Sequence, residues 1–288
     1  MEGMDYLRPR NLRDAFNAIE KTKGLIKFIA GGTNVIPDIR AETLSPKLIV
    51  DLSVLKSLYY IKETNRTISI GALTTISEIV KSDVISRVAP ILSSAAHQLG
   101  NTLTRNRATL GGNLADASPA ADMAPPLLAL EALIHTKCGQ ESGRKISLDK
   151  FFLGPNKTVL AKDEIITKIT FLKPKESVHG SYIKLGLRDS MAISIVSLAV
   201  MLQVKNNVCQ KARIALGAVA PTPVRAYRVE KELEGREMSI KNIHEIAVLI
   251  EKEISPISDI RASAEYRKYE TSVLLKRAIQ QALERGKK

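Results

Sequence analysis

Two short segments of this chain each combine a pair of adjacent glycines with an asparagine: AGGTN at 30–34 and TLGGN at 109–113. Glycine adopts positive φ readily, and its backbone N–H can approach an oxyanion with no Cβ in the way. The threonine and asparagine of each segment add short hydroxyl and amide groups that can hold phosphate without a full charge. Two such loops predict one shared ligand, and a pyrophosphate fits them best.

The glycine pairs also have a purely structural interpretation, since each one alone could be a tight turn between packed elements. The chain has no GxxxxGK[ST] motif, so it lacks the phosphate-binding loop of the P-loop proteins. The first segment also lacks the spaced GxGxxG of a Rossmann turn. A nucleotide would therefore be bound in another way.

The histidines and cysteines do not form a recognisable metal site. His97 and His135 have no second histidine at ligand spacing, and we expect the first on a helix surface and the second in a strand. Cys138 and Cys209 are too few for the four thiolates of an iron–sulfur cluster, so we interpret both as packing residues. The sequence predicts no metal bound by this chain.

Composition and charge limit the possible functions. A chain of 288 residues with 44% hydrophobic content can form about two domains. Its charge of +13 would attract phosphate polymers, but the basic residues are dispersed, aromatics are 4% and tryptophan is absent, so we expect no nucleic acid. The basic surface indicates heat adaptation or docking of an acidic partner. No signal peptide or ~20-residue apolar span is evident, which predicts a cytoplasmic protein without a membrane span.

The first glycine segment lies in a predicted strand–helix–strand unit. An apolar stripe at helical spacing begins at Leu12 and predicts a short helix. LIKFIA (25–30) follows as a strand, a helix-like segment runs to about residue 42, and KLIVDLS (47–53) is the next strand. This order favours parallel pairing of the two strands.

The second glycine segment lies in a block of helices and strands. The apolar spacing over 84–99 predicts one helix, and the prolines at 125 and 126 sit where they can open another. Three segments are predicted as strands: TISIG (67–71), LIHTK (133–137) and EIITKITF (164–171).

The polar run LKPKES (172–177) is the predicted domain boundary, which gives domains at 1–176 and 177–288. Beyond it, GSYIKLG reads as a strand, and SLAVMLQV pairs with CQKARIALGAVA in an antiparallel hairpin across KNN. Amphipathic patterns at 243–250 and 275–282 predict two closing helices. The predicted fold class is α+β.

These segments together resemble the FAD-binding (medium) subunits of the molybdenum hydroxylases, which include those of xanthine, carbon monoxide and nicotinate dehydrogenases. The resemblance rests on AGGTN, RNRATLGGNLADASPAADMAPPLLAL, GSYIKLGLRDSMAIS and GAVAPTPVRA, and GPNKTVL and RDSMAIS are most similar to xanthine-dehydrogenase-like subunits. It implies a PCMH-type FAD-binding domain, with a small parallel strand–helix unit and a larger mixed sheet. A C-terminal domain of antiparallel strands and helices follows.

The resemblance also implies which residues contact FAD. The first loop, whose amides hold the pyrophosphate in the family, matches Phe28, Ile29, Ala30, Gly31, Gly32, Thr33, Asn34 and Val35. The second loop matches Thr109, Gly111, Gly112 and Asn113.

Five further positions match cofactor contacts outside these loops. Ser118 and Asp122 match a contact to the ribityl or ribose region, with a helix cap as the structural alternative. Ile166 matches an adenine contact and could equally be a strand core residue. Lys184 matches a lysine of the cofactor pocket, and Leu99 stands where relatives cover the flavin with phenylalanine.

One departure from the family bears on how the flavin is held. Related oxidases attach FAD to a histidine after the paired glycines, and here Thr33 occupies that place. The resemblance therefore implies non-covalent FAD.

The implied function is that of an electron-transfer subunit. A large molybdopterin subunit and a small subunit with 2Fe-2S clusters would be its partners, in a dimer of heterotrimers, with NAD or another molecule as electron acceptor. Arg188 and Asp189 are candidates for shaping the acceptor's access. Two alternatives are a freestanding non-covalent FAD oxidoreductase of the same fold and a non-enzymatic basic binding module.

Overall fold

The computed structural model of the chain describes residues 3–139 and 143–286. Its first unit is a small parallel sheet in the order β1-β3-β2, with strands β1 (Asp5–Leu7), β2 (Ile26–Ile29) and β3 (Leu48–Asp51). Helices α1 (Leu12–Lys21) and α2 (Val35–Arg40) connect these strands. The predicted parallel strand–helix–strand unit is confirmed.

The second unit is a five-stranded sheet in the order β4-β5-β10-β6-β7. Its strands are β4 (Ile61–Glu63), β5 (Thr67–Gly71), β6 (Leu133–Cys138), β7 (Lys145–Ser147) and β10 (Glu164–Leu172). The three strands predicted here are confirmed. The resemblance implies a mixed sheet here, but all the strand pairs that the structure describes in this sheet are antiparallel. A small hairpin, β8 (Phe152–Gly154) and β9 (Lys157–Thr158), precedes β10.

Six short helices pack on one face of this sheet and form the main hydrophobic core with it. They are α3 (Ile76–Lys81), α4 (Asp83–Val88), α5 (Pro90–Gln98), α6 (Thr102–Arg107), α7 (Leu110–Asp116) and α8 (Ala124–Ala129). The helical spacing predicted over 84–99 is confirmed, but the segment forms two helices, α4 and α5, where one was expected. The chain breaks at Ala89, which adopts φ −137° and ψ 64°, because a residue before proline is disfavoured in the helical region. The prolines at 125 and 126 do open α8, as predicted.

The C-terminal unit is an antiparallel sheet in the order β11-β12-β13-β14, covered by helices. Its elements are β11 (Val178–Leu185), β12 (Val196–Lys205), β13 (Val208–Gly217), β14 (Val224–Arg225), α9 (Tyr227–Leu233), α10 (Ile240–Ala247) and α11 (Ala264–Arg285). Asn206 and Asn207, both at positive φ, turn the predicted hairpin between β12 and β13. The apolar stripes at 243–250 and 275–282 are buried against this sheet, which confirms the two amphipathic patterns.

The C-terminal sheet shares the main core with the second unit. Tyr182, Ala199, Met201 and Ala215, from β11 to β13, belong to the same buried cluster as the helices α3 to α8. The domain limits at 1–176 and 177–288 stay a prediction. The α+β class is confirmed, and no helix within the described ranges is long and apolar enough to cross a membrane.

Candidate functional site

The two glycine loops lie against each other, although about eighty residues separate them in the chain. A Cβ on Gly31 would overlap the carbonyl oxygen of Arg107, just before the second loop. A Cβ on Gly112 would lie 3.9 Å from that of Ala30. Asn34 Nδ2 donates a hydrogen bond to Asp116 Oδ2 at 2.8 Å. The glycine at 31 is therefore required by the contact between the loops.

The first loop leaves consecutive backbone donors unused. Gly32 has φ +72°, which a side chain would make strained, and it turns the chain after β2. None of the residues that the structure describes accepts a hydrogen bond from the backbone N–H of Gly32, Thr33 or Asn34. Successive free amides of this kind form an anion-binding concavity. The loop is suited to a phosphate group, as its sequence predicts.

The second loop is built differently, because its amides are used inside the protein. The N–H groups of Leu110 and Gly111 donate to the carbonyls of Thr74 and Ala72 at 3.0 and 2.8 Å. The N–H of Gly112 donates to the Thr109 hydroxyl, and the N–H of Asn113 donates to the Thr109 carbonyl. We expected both loops to offer free amides, and only the first loop does so. The residues of the second loop begin helix α7, and their amides donate to other groups of the protein.

Asn113 supplies a different signal of a ligand. Its side-chain Oδ1 is buried, and no donor in residues 3–139 or 143–286 reaches it. A buried acceptor without a partner is costly, by about 1–3 kcal/mol. Asn113 lines the cavity between the loops, so a donor group of a bound molecule would satisfy this oxygen.

A cavity of about 520 Å³ runs between the two loops, strand β2 and the start of β10. This volume is in the range of small-molecule and cofactor sites. Predicted site residues in its wall are Phe28, Ala30, Gly31, Gly32, Thr33, Asn34, Val35, Leu99, Thr109, Gly111, Gly112, Asn113 and Ile166. Their contact with FAD stays a prediction, but the fold brings them together around one space.

Four predicted residues lie outside this cavity wall: Ile29, Ser118, Asp122 and Lys184. Ile29 packs its side chain near Gly32. Ser118 Oγ accepts a hydrogen bond from the Ala120 amide at 3.3 Å. Met123 is the N-cap of α8 and makes no side-chain cap, so the helix-cap alternative for Ser118 and Asp122 is wrong. Their cofactor roles stay predictions.

Asp122 and Lys184 form a buried ion pair between the helical layer and the C-terminal sheet. Lys184 Nζ lies 2.7 Å from Asp122 Oδ2 and also donates to the Gln98 carbonyl. Asp122 Oδ1 accepts hydrogen bonds from Ser194 at 2.6 Å and Tyr182 at 3.3 Å. Burial, and then the charge of Asp122, raise the pKa of Tyr182, so this phenol remains a donor. The cluster therefore joins the end of β11, and Ser194 just before β12, to the second unit.

Several residues of the wall were not predicted from the sequence. They are Ile26, Lys27, Asp38, Leu52, Ala72, Leu73, Thr104, Ala108, Ala115, Asp116, Leu160, Ala161, Lys162, Glu164 and Ile165. Ile26 shares a strand face with the predicted Phe28, so strand alternation could have found it. The segment Leu160 to Lys162 has no such signal, because a turn before β10 carries it into the wall.

Glu164, at the start of β10, is a buried carboxylate in the cavity wall. Burial by itself raises its pKa, but hydrogen bonds from Arg144, Thr136 and the Ala161 amide outweigh burial and lower the pKa to about 2. Glu164 is therefore charged at neutral pH.

The histidines and cysteines lie away from the cavity. His97 is exposed on α5, and His135 lies in β6 with its Nε2 2.8 Å from Thr170 Oγ1, as the sequence predicts. Cys209 is buried, and burial followed by the charge of Glu234 raises its pKa to about 11. Cys138 is half-buried and donates to Asp163. Within the described residues, no three His, Cys, Asp or Glu side chains converge on a metal site.

The loop with Arg188 and Asp189 lies outside the cavity wall and contacts Asn101. Both residues are exposed, and the Arg188 guanidinium donates to the Met191 carbonyl at 3.0 Å. Asn101 Nδ2 lies 3.4 Å from Met191 Sδ, close to the cavity-lining Leu99. That this loop shapes the acceptor's access to the site stays a prediction.

Two family descriptions cover most of the chain. "FAD binding domain in molybdopterin dehydrogenase" matches residues 2–173, and "CO dehydrogenase flavoprotein C-terminal domain" matches residues 181–282.

Curated relatives and a solved structure match along nearly the full length. The glyceraldehyde dehydrogenase medium chain of Sulfolobus acidocaldarius is 32% identical over 96% of this chain and 97% of its own. The xanthine dehydrogenase FAD-binding subunit of Escherichia coli O157:H7 is 30% identical over 96% and 95%. A chain of Hydrogenophaga pseudoflava carbon monoxide dehydrogenase superposes with a TM-score of 0.94 at 26% identity, covering 98% of each.

Proposed function

The chain belongs to the FAD-binding medium subunits of the molybdenum hydroxylases, and from that premise we propose that it holds FAD non-covalently between its two glycine loops and transfers electrons. In this proposal, electrons arrive from 2Fe-2S clusters of a partner subunit and leave to NAD or another acceptor. FAD supplies the redox chemistry, since it takes up two electrons and can exchange them singly.

The free amides of Gly32, Thr33 and Asn34 carry this proposal. Three consecutive donors in a cavity wall match the negative oxygens of a pyrophosphate without requiring a lysine. Asn113 Oδ1, in the same cavity wall, is an unused acceptor to which a hydroxyl or N–H of the cofactor could donate. The chain's own residues thus bind and orient the cofactor.

The non-covalent mode is supported by the composition of the cavity wall. Covalent flavin attachment needs a histidine or cysteine side chain beside the ring. Among the described residues of the wall there is neither, and Thr33 has only a hydroxyl. We expect FAD to be released when the protein unfolds.

The names of the relatives support a proposal for the partners. The matching proteins are called medium chain or FAD-binding subunit, so they work as parts of larger enzymes. We propose a molybdopterin subunit and a 2Fe-2S subunit as partners, in a dimer of heterotrimers located in the cytoplasm. We propose that the hydroxylated substrate binds on the molybdopterin subunit, and the nearly equal matches to medium or FAD-binding subunits of glyceraldehyde, xanthine and carbon monoxide dehydrogenases support a pocket outside this chain.

Purification of the native complex tests the partner proposal. The tagged full chain, isolated from its own cells, should bring with it two further polypeptides, molybdenum and iron. A chain that is isolated alone, contains FAD and oxidises a substrate by itself would instead support the freestanding FAD oxidoreductase.

A further inference from the structure

One wall of the cavity depends on an ion pair whose arginine lies outside that wall. Residues 160–162 line the cavity just before β10, in a turn that contains no strand or helix. Glu164 Oε2 accepts a hydrogen bond from the Ala161 amide at 3.0 Å. Arg144 NH2 donates to the Val159 carbonyl at 2.6 Å. Each partner of the pair therefore holds one backbone group of the wall segment.

The carboxylate of Glu164 has donors on both oxygens. Arg144 donates to it through Nε at 2.8 Å and through NH2 at 2.7 Å, in the two-point geometry that makes such pairs strong and directional. Thr136 Oγ1 donates to Oε1 at 2.6 Å. Because the carboxylate is only 5% exposed and fully hydrogen-bonded, it has one well-defined orientation.

The ion pair connects three parts of the second unit. Thr136 lies in β6, Arg144 lies just before β7, and Glu164 begins β10. The segment with Leu160 and Lys162 is therefore fixed to the sheet by charge-assisted hydrogen bonds. Without the pair, Ala161 N–H and Val159 C=O would lose these partners, and the segment would keep only its backbone hydrogen bonds to Phe151 and Glu164 and the one from Leu160 N–H to Thr158.

We propose that Glu164 and Arg144 are positioning residues for the cofactor: they hold the wall segment 159–162 in the conformation that binds FAD. This inference rests on the proposed function, since it presupposes that the cavity takes FAD. Neither residue needs to react; the pair acts through the backbone of Val159 and Ala161.

The chain offers a matched control in Glu230. This carboxylate is 6% exposed, binds Arg225 through Nε and NH2 at 2.6 and 2.7 Å, and accepts a backbone N–H, that of Ile214. Glu230 lies in the C-terminal unit and does not line the cavity. The same substitution at 164 and 230 therefore separates loss of stability from loss of positioning.

The test compares FAD dissociation constants of full-length wild type, Glu164→Gln and Glu230→Gln by fluorescence titration, with thermal melting beside them. We expect Glu164→Gln to weaken FAD binding roughly tenfold or more, the effect of losing a charge-assisted hydrogen bond. Glu230→Gln should melt at a lower temperature and bind FAD as the wild type does. Equal FAD affinity in wild type and Glu164→Gln, or equal weakening in both variants, overturns the inference.

A second variant covers the case in which Glu164→Gln does not fold. Arg144 has a half-exposed side chain, so Arg144→Gln should fold and still weaken FAD binding. Arg144→Lys should bind FAD more tightly than Arg144→Gln but less tightly than wild type, because an ammonium cannot make the two-point contact. FAD affinity of Arg144→Gln equal to that of wild type contradicts the inference. A wild-type chain that binds no FAD overturns the proposed function itself.

Discussion

The carbonyl oxygen of Arg107 lies where a Cβ of residue 31 would have to be. This contact joins the end of α6 to the loop after β2, and the first loop with its free amides and Asn113 line one cavity. The glycine pair therefore serves two purposes: Gly31 allows the loops to touch, and Gly32 provides the positive φ of the turn.

Substitution of Gly31 by alanine should separate the two loops. Because backbone atoms of Arg107 occupy the space, we expect overpacking that costs about 1–3 kcal/mol of unfolding free energy together with loss of FAD binding. Gly154→Ala is the control, since a Cβ there meets nothing within 4 Å. Urea unfolding and FAD titration of both variants check this, and normal FAD affinity in Gly31→Ala would contradict the account.

Removal of the Lys184 charge should destabilise the junction with the C-terminal sheet. In Lys184→Met the buried Asp122 keeps only hydroxyl donors, and breaking a buried pair in this way costs about 3–5 kcal/mol. Arg236→Met breaks an exposed pair with Glu232 and should cost less than about 0.5 kcal/mol. Chemical denaturation measures both. Equal effects of the two substitutions would show that the buried pair is not needed.

Acid should weaken the fold through Glu164. Its pKa falls from 4.5 to about 2 on folding, so its contribution is complete above pH 4.5 and is lost as the pH falls through 2. The pKa difference corresponds to at most about 3 kcal/mol. The stability difference between wild type and Glu164→Gln, from urea midpoints between pH 6 and pH 3, should therefore shrink as the pH falls. A difference that is constant with pH refutes this assignment.

Arg188 should affect the electron acceptor and not the cofactor. Its side chain is exposed on the loop that contacts Asn101, so Arg188→Ala should raise the KM for the acceptor several-fold while FAD content is unchanged. Steady-state kinetics of the complex with varied acceptor concentration measure this. Loss of FAD from the variant would show that the residue supports the fold of the site.

The glycine loops could be predicted because their information is local. Paired glycines with neighbouring threonine and asparagine indicated a phosphate site, and the structure places both loops on one cavity. Strand periodicity likewise predicted β2, β3 and the hairpin of β12 and β13. The break between α4 and α5 could also have been predicted, since Pro90 disfavours helix at Ala89.

The parts that sequence did not predict depend on contacts between distant segments. Glu164 resembles any polar residue at a strand start, and its role appears only when Thr136 approaches from β6 and Arg144 from the segment just before β7. The hydrogen-bond partners of Asp122 have no local signal either, because its donors come from the C-terminal unit. The different use of amides in the two loops depends on Ala72 and Thr74, which no local pattern connects to the second glycine pair.

FAD binding by the purified full-length chain, followed by acid precipitation, tests directly whether the chain holds FAD non-covalently. We expect the chain to take up equimolar FAD, turn yellow, and release all of the flavin into the supernatant when acid unfolds it. A folded chain that stays colourless after incubation with FAD would contradict FAD binding, and flavin retained in the washed precipitate would contradict the non-covalent mode.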